Sequence, residues 1–344
     1  MTKVKMYFSH KLRSSSTVFK LLNSIVQVVT HFTISLTGRK HKPVKSNSYD
    51  LYIIFLPGQL GDLVLSLSTL YSKYEVPNNT LVITRLTNRP VADLFINHFR
   101  FLFFDSKLIR PWHRFTGFNL QQLKAKELSA DNTKILVVNP YTYSPIAHMG
   151  VIKKNTDVIS YPSAGAAAFS GYLLSSEVAA EHEYLAHQIM YNRIFSQLTK
   201  VKSFRHESDS LIHEKLRKYP YLLLHLDTSR SSKDIEFGLV CGFAQRALAL
   251  GFSIVLTGTL HNDLRQIGME KDVYDLRGKT TIDDLGKLVQ SASYVLSADT
   301  VTAHLAKLFG VKQFIITKKF QKNFIPNGLQ VCLLNEFDDL KDCL

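Results

Sequence analysis

The stretch Tyr294–Val311, YVLSADTVTAHLAKLFGV, constrains the fold of this chain more than any other. Tyr294–Ser297 reads as a short buried strand, and an apolar helix is expected to begin around Thr302. A buried strand passing straight into a helix is the repeating unit of an open parallel α/β sheet. In such sheets ligands bind beyond the carboxyl ends of the strands, where helix N-termini present unpaired N–H groups. Asp299 and Thr300 stand at that junction as candidate caps. His304, one turn into the helix, is placed to face the same crevice. The same residues would also suit an ordinary capped core helix with an incidental histidine. The stretch therefore fixes a fold class before it fixes a chemistry.

The pattern recurs on both sides of the chain. Leu51–Leu56 is a buried strand that runs through Pro57-Gly58-Gln59-Leu60-Gly61-Asp62 into a helix reaching about Tyr74. Further strands are expected at Leu81–Thr84, Phe101–Phe104 and Ile135–Val138. Residues 140–175, with the small-residue run Ser163–Ala168, show no clear period. A long helical pattern from Glu177 to about Leu198 closes this half. After the charged stretch 199–219 the alternation resumes: strand Tyr221–Leu226, helix Asp234–Leu250, strand Ser253–Thr257, a short helix after Gly258, and a helix start near Thr280–Asp284. The Tyr294–Val311 unit and a last strand at Gln313–Thr317 complete it. The class expected is α/β, with two Rossmann-like domains at 50–200 and 201–344 behind a leader, 1–49. The 344 residues suffice for two substantial cores.

Composition matters chiefly for that leader. The chain carries a net charge of +14, and residues 1–49 hold nine Lys and Arg with no Asp or Glu. The rest is near neutral for its size, so the charge does not mark a nucleic-acid-binding body, which would need basic residues interleaved with aromatics. Residues 18–36, VFKLLNSIVQVVTHFTISL, are apolar but interrupted at helical spacing by Lys20, Asn23, Gln27 and His31. A spanning helix needs about 20 predominantly apolar residues, and no small-residue cleavage site follows. The segment reads as a basic amphipathic helix lying on an anionic membrane surface, or else as a helix packed on the protein's own body. Cys241, Cys332 and Cys343 are odd in number and lack metal-like spacing, as suits a reducing compartment. The acidic pairs Asp283-Asp284 and Asp338-Asp339 are read as caps and surface charge, and no metal site is expected.

Three loops at strand carboxyl ends can carry chemistry. Gly58-Gln59-Leu60-Gly61-Asp62 lets the backbone approach a ligand and sets a carboxylate at a helix start. Asp227-Thr228-Ser229-Arg230-Ser231-Ser232-Lys233 offers hydroxyls, a guanidinium and an ammonium at a strand-to-helix junction, a composition suited to phosphate or simply to a hydrophilic turn. The third is Asp299–His304.

Taken in order, these segments resemble glycosyltransferase family 9, the heptosyltransferase-like enzymes of lipopolysaccharide core assembly, over roughly residues 50–320. Leu60-Gly61-Asp62-Leu63-Val64-Leu65-Ser66 is similar to the family's G-D-hydrophobic segment. Thr228-Ser229-Arg230-Ser231-Ser232-Lys233 is similar to its T-T-R-x-x-K phosphate loop. Asp275-Leu276-Arg277-Gly278-Lys279-Thr280, followed by Asp299-Thr300-Val301-Thr302-Ala303-His304-Leu305, is similar to its D-L-x-G-K-[TS] and D-[TS]-G-x-x-H-[LV] run. The chain departs from the family in three places. Val301 stands where Gly is usual, and Ile235 where an aromatic often follows the loop lysine. After Gly258, where members often carry a Glu for the nucleoside, the sequence is Thr-Leu-His-Asn, with Asp263 the nearest acid.

The resemblance implies the GT-B architecture, two Rossmann-like domains facing a cleft, and inverting, metal-independent transfer of a sugar from a nucleotide-diphosphate sugar. ADP-heptose is the implied donor and a lipid-anchored oligosaccharide the implied acceptor, with no further cofactor. Asp62 would be the catalytic base. Lys233 would stabilise the leaving diphosphate, and Gly61, Thr228, Ser229, Arg230, Asp299, Thr300 and His304 would hold the donor. The implied address is cytoplasmic, peripheral on the inner membrane face. A non-catalytic nucleotide-sugar-binding protein at the membrane is the alternative.

Overall fold

The computed structural model describes residues 49–108, 133–140, 156–160, 172–173, 183–206, 219–227, 237–259, 272–316 and 331–334, with Leu123 and Leu216. The leader helix expected at 18–36 lies outside the described residues, as do the short helix after Gly258, Thr228–Lys233, Asp263 and Asp338-Asp339. The chain divides into two compact units. One holds the described residues up to Gln59 together with Thr69–Val201; the other holds Leu60–Ser68 and the described residues from Lys202 onward.

The first unit is built on a parallel sheet. The elements of this half in chain order are β1 (Leu51–Leu56), α1 (Leu60–Lys73, of which Leu60–Ser68 belong to the second unit), β2 (Tyr74–Glu75), β3 (Thr80–Arg85), α2 (Arg89–Ala92), β4 (Arg100–Phe104), β5 (Ile135–Asn139), β6 (Thr156–Ser160), β7 (Tyr172–Leu173), α3 (Glu183–Asn192) and β8 (Ser196–Gln197). The strand order is β4-β3-β1-β5-β6-β7, and every neighbouring pair is parallel. All six residues of β1 are buried, which is why it reads as an unbroken apolar run rather than an alternating one. Leu51, Ile53 and Phe55 on one face pack with Leu81, Ile83, Phe104, Ile135 and Val137.

Helix α3 corrects the expectation of one helix from Glu177 to Leu198. The helix ends at Asn192, and Ser196–Gln197 instead pairs antiparallel with Tyr74–Glu75. Tyr74 fixes this exchange: its hydroxyl donates to the Gln188 carbonyl at 3.0 Å and to Asn192 Oδ1 at 2.8 Å. The tertiary partner thus ends a helix that periodicity alone would continue.

The second unit repeats the plan: β9 (Tyr221–His225), α4 (Phe237–Ala249), β10 (Ser253–Thr257), β11 (Val273–Asp275), α5 (Ile282–Ser291), β12 (Tyr294–Ser297), α6 (Val301–Phe309), β13 (Gln313–Ile316) and β14 (Val331–Leu334). The order is β11-β10-β9-β12-β13-β14, again parallel throughout. Strand β13 is not the last strand, because β14 extends the edge beyond it. The acidic pair at α5 acts in part as a cap. Thr281 accepts from the Asp284 backbone N–H while the Asp284 carboxylate accepts from Thr281, a capping box. Asp283 instead meets His206 Nε2 at 2.8 Å. Residues from Lys202 are fastened along this unit: His206 N–H donates to Gln290 Oε1, Lys287 Nζ donates to the His206 carbonyl, and Phe204 packs on Phe309.

Candidate functional site

Strand order locates the crevices. In each sheet the chain builds outward from a central strand on one side, then returns to build on the other. Ligands bind at the carboxyl ends of the strands flanking that reversal. The reversals fall between β1 and β5 and between β9 and β12.

At the first reversal the loop after β1 is held by neutral groups. Thr84 Oγ1 donates to the Leu56 carbonyl at 2.7 Å. Asn88, nearly fully buried, donates from Nδ2 to the Gly58 carbonyl and to Thr84 Oγ1, each at 3.0 Å. The carbonyls at the end of β1 are thereby satisfied, and the chain enters α1 with Asp62 in its first turn, where a carboxylate is favoured.

At the second reversal the ends of three strands are in register: His225 of β9 stands opposite Thr257 of β10 and Ser297 of β12. Burial pushes the His225 imidazole below the usual histidine range, partly opposed by the nearby Asp227 carboxylate, and its Nδ1 lies 3.1 Å from Thr257 Oγ1. Beyond Ser297 the chain passes through Asp299 into α6, whose N-cap is Thr300. The expected side-chain cap does not form: Thr300 has extended backbone but makes no side-chain hydrogen bond to the helix. Ser297 Oγ, Thr300 Oγ1 and Thr302 Oγ1 are buried and have no hydrogen-bond partner among the described residues. Unpaired buried hydroxyls are costly. Three of them beside the free N–H groups of a helix start suit a polar or anionic ligand.

His304 points this site toward Gly61. A Cβ added to Gly61 would lie 2.8 Å from His304 Cδ2, 3.2 Å from His304 Nε2 and 3.8 Å from the Val301 backbone nitrogen. Any side chain at 61 would displace the imidazole. His304 Nε2 also lies 4.0 Å from Asp299 Oδ1, and both side chains are largely buried. Of the site residues expected from sequence, Gly61, His304, Asp299 and Thr300 are thus brought together, with Asp62 adjacent to Gly61 in the same compact unit. Thr228, Ser229, Arg230 and Lys233 lie outside the described residues.

Asp227, named in sequence as the first residue of a loop suited to phosphate, and Asp275–Lys279, named in the family-like run, form a second set of groups at the ends of β9, β10 and β11, and their contacts were not legible in the sequence. Asp227 Oδ2 accepts from the backbone N–H of Thr259 and, at 2.6 Å, from Thr259 Oγ1. Gly258 makes this approach possible. It has φ +105°, and a Cβ there would fall 2.7–2.9 Å from the Asp227 carboxyl atoms. One strand over, Arg277 donates from its Nε and NH2 groups to the two oxygens of Asp275 at 2.9 and 2.7 Å, and Lys279 Nζ donates to the Asp275 carbonyl. The Arg277 hydrogen bonds hold the Asp275 carboxyl below its ordinary value. Among the described residues no group of three or more His, Cys, Asp or Glu is placed to hold a metal ion, and no helix is long and apolar enough to cross a membrane.

No protein-family model matches the sequence, and no curated protein matches it. Solved structures do match the fold. A family 9 glycosyl transferase from Veillonella parvula superposes with a TM-score of 0.64 at 13% identity, covering 86% of this chain and 89% of its own. The E. coli ADP-heptose LPS heptosyltransferase II gives 0.57 at 13% identity, covering 83% and 90%. E. coli heptosyltransferase WaaC with ADP-2-deoxy-2-fluoro heptose gives 0.55 at 14% identity, covering 84% and 95%. This α/β chain of two parallel sheets has the heptosyltransferase-like fold of glycosyltransferase family 9.

Proposed function

We propose that this protein is a glycosyltransferase that moves a sugar from a nucleotide-diphosphate sugar to an acceptor hydroxyl with inversion. The donor sugar is heptose carried on ADP, and the acceptor is a lipid-anchored oligosaccharide of the lipopolysaccharide-core kind. The observation that carries this reading is the meeting of Gly61 with His304 and Asp299, which sets the Asp62 turn beside the start of α6 within a heptosyltransferase-like fold.

Asp62 acts as the general base that takes the acceptor proton as the new glycosidic bond forms. Asp299, Thr300 and His304 hold the donor nucleotide at the α6 start. By sequence, Thr228, Ser229, Arg230 and Lys233 receive the departing diphosphate, its charge balanced by Arg230 and Lys233. The reaction needs no metal in this scheme, so chelation with EDTA leaves the rate unchanged. The leader, residues 1–49, tethers the enzyme to the anionic cytoplasmic face of a membrane, with each basic residue near the surface contributing about 1 kcal/mol. Sedimentation of the full-length protein with anionic liposomes, lost on deleting residues 1–45, checks that address.

The deciding experiment incubates the full-length protein with ADP-heptose, or with UDP- and GDP-sugars in turn, and a core-oligosaccharide acceptor. Nucleoside diphosphate release and the mass and anomeric configuration of the product are followed together. Acceptor-dependent release with an inverted linkage supports the proposal. Thermal protection by nucleotide without any release would identify a non-catalytic nucleotide-sugar-binding protein instead.

A further inference from the structure

We infer that Arg85, at the carboxyl end of β3, is an anion-recognition residue of the first unit, holding a carboxylate or a phosphate on the acceptor sugar. The inference rests on the sugar-transfer reading above and adds to it a charged group that the acceptor carries.

Arg85 is the last residue of β3 and keeps an extended backbone, with φ −69° and ψ 147°. Strand alternation therefore puts it on the face of Leu81 and Ile83, which pack in the apolar cluster of the sheet. Phe104, opposite Arg85 on β4, belongs to the same cluster. Thr84, the residue before, faces the other way and holds the Leu56 carbonyl. Arg85 thus stands where the core gives way to the strand ends, one strand from β1 and the loop that leads to Asp62. Ligands of open α/β sheets bind at this end of the strands.

The guanidinium lacks a counter-ion. Its Nε is buried without a hydrogen-bond partner, and no carboxylate pairs with Arg85 among the described residues. The acids that follow β3 and β4 meet other groups: Asp93 lies 3.9 Å from Arg89 Nε, and Asp105 accepts from the Lys107 backbone N–H. In the second unit, by contrast, Arg277 is matched to both oxygens of Asp275. A cation drawn against a core without a partner is costly. Because Arg85 is half-buried and its Nε is closed off, its terminal amino groups are the part left to meet what enters from solvent. Two donors on one rigid plane fit the paired oxygens of a carboxylate or phosphate. The donor diphosphate is a different anion: the residues assigned to it above belong to the second unit, and Arg85 to the first.

The experiment measures, by calorimetry on the full-length protein, the binding of a carboxylate-bearing core oligosaccharide and its carboxyl-reduced counterpart, and of a phosphate-bearing one and its dephosphorylated counterpart. Wild type, Arg85→Met and Arg85→Lys are compared, with ADP affinity, melting temperature and sugar transfer read on the same preparations. The wild type should bind a charged oligosaccharide roughly tenfold to a hundredfold more tightly than its neutral counterpart, the size expected of hydrogen bonds between charged groups. The pair that shows the preference identifies the anion. Arg85→Met keeps the stem without the charge, and should lower the charged compound to the affinity of the neutral one. Binding of the neutral compound, ADP affinity and melting temperature should stay at wild-type values, which separates lost recognition from a damaged fold. Arg85→Lys, which keeps the charge but not the fork, should fall between. A wild type that transfers sugar without distinguishing charged from neutral acceptors, or a preference that survives in Arg85→Met, would overturn the assignment and leave the transferase reading standing. Arg85 would then be a side chain that only carries its charge to solvent. An Arg85-dependent preference without any sugar transfer would uphold the anion site and overturn the transferase reading. Binding of none of the four, with no transfer, would overturn both.

Discussion

The two six-stranded sheets share one strand order and differ in how their central strands end. After β1 the loop is fastened by uncharged groups, with Thr84 and Asn88 holding the Leu56 and Gly58 carbonyls. After β9 it is fastened by a carboxylate, with Asp227 clamped to Thr259 and the Asp275–Arg277 pair one strand further out. Topology makes a crevice in each sheet. What the crevice can do depends on which side chains finish the strands. The neutral loop sets a backbone path that delivers Gly61 and Asp62 to the start of a helix. The charged one gathers carboxylates, a guanidinium and an ammonium at the ends of neighbouring strands.

The sharpest break of this contrast is Asp62→Asn. If Asp62 is the base, transfer should fall by roughly two to four orders of magnitude, with donor affinity and melting temperature near wild type. Asn caps a helix about as well as Asp, so an unchanged transfer rate would reduce Asp62 to a structural cap. Gly61→Ala comes next. Ala is favoured over Gly in a helix by up to about 1 kcal/mol, so stability should hold. The added methyl must displace His304, and misplacement on that scale can cost about a hundredfold in turnover. A fully active Gly61→Ala protein would show that the imidazole position is not used.

Asn88→Ala tests the neutral loop. It leaves the Gly58 carbonyl without its donor, which should lower stability by about 1–3 kcal/mol in a urea titration while the donor affinity of the second unit is unaffected. The smallest effect concerns His225. Its folded-state pKa is lowered from 6.5, so the unfolded chain takes up the proton first. Stability should therefore be flat above about pH 6.5 and decline as the pH falls below it. His225→Gln should flatten that decline, as read from melting temperature against pH.

Much of this fold was legible because its strands are buried on both faces. Leu51–Leu56 and Ser253–Thr257 have the bounds expected from their apolar runs, and Tyr294–Ser297 also ends where the acid and hydroxyl residues begin. The failures share one cause, a partner distant in sequence. Ser196–Gln197 is a strand because Tyr74–Glu75 lies beside it, and β11 is too short, at Val273–Asp275, to announce itself without β10. The site divides the same way. Gly61, Asp62, Asp299, Thr300 and His304 stood out through local motifs. Asp227 reads in sequence as the first residue of a loop suited to phosphate or to a hydrophilic turn, and nothing near it in the chain indicates its contact with Thr259.

The position of β1 at the middle of its sheet bears on how the chain must be made. Its neighbours are β3 and β5, and Leu51 finds its partner on one side only when Ile135 has been synthesised. Through that interval of vectorial synthesis the nascent chain carries an apolar strand with an open edge, a template for mispairing with other chains. Nascent or truncated chains that stop between Arg85 and Lys134 should therefore be bound by chaperones or aggregate. Those that extend past Asn139 can close β1 on both sides.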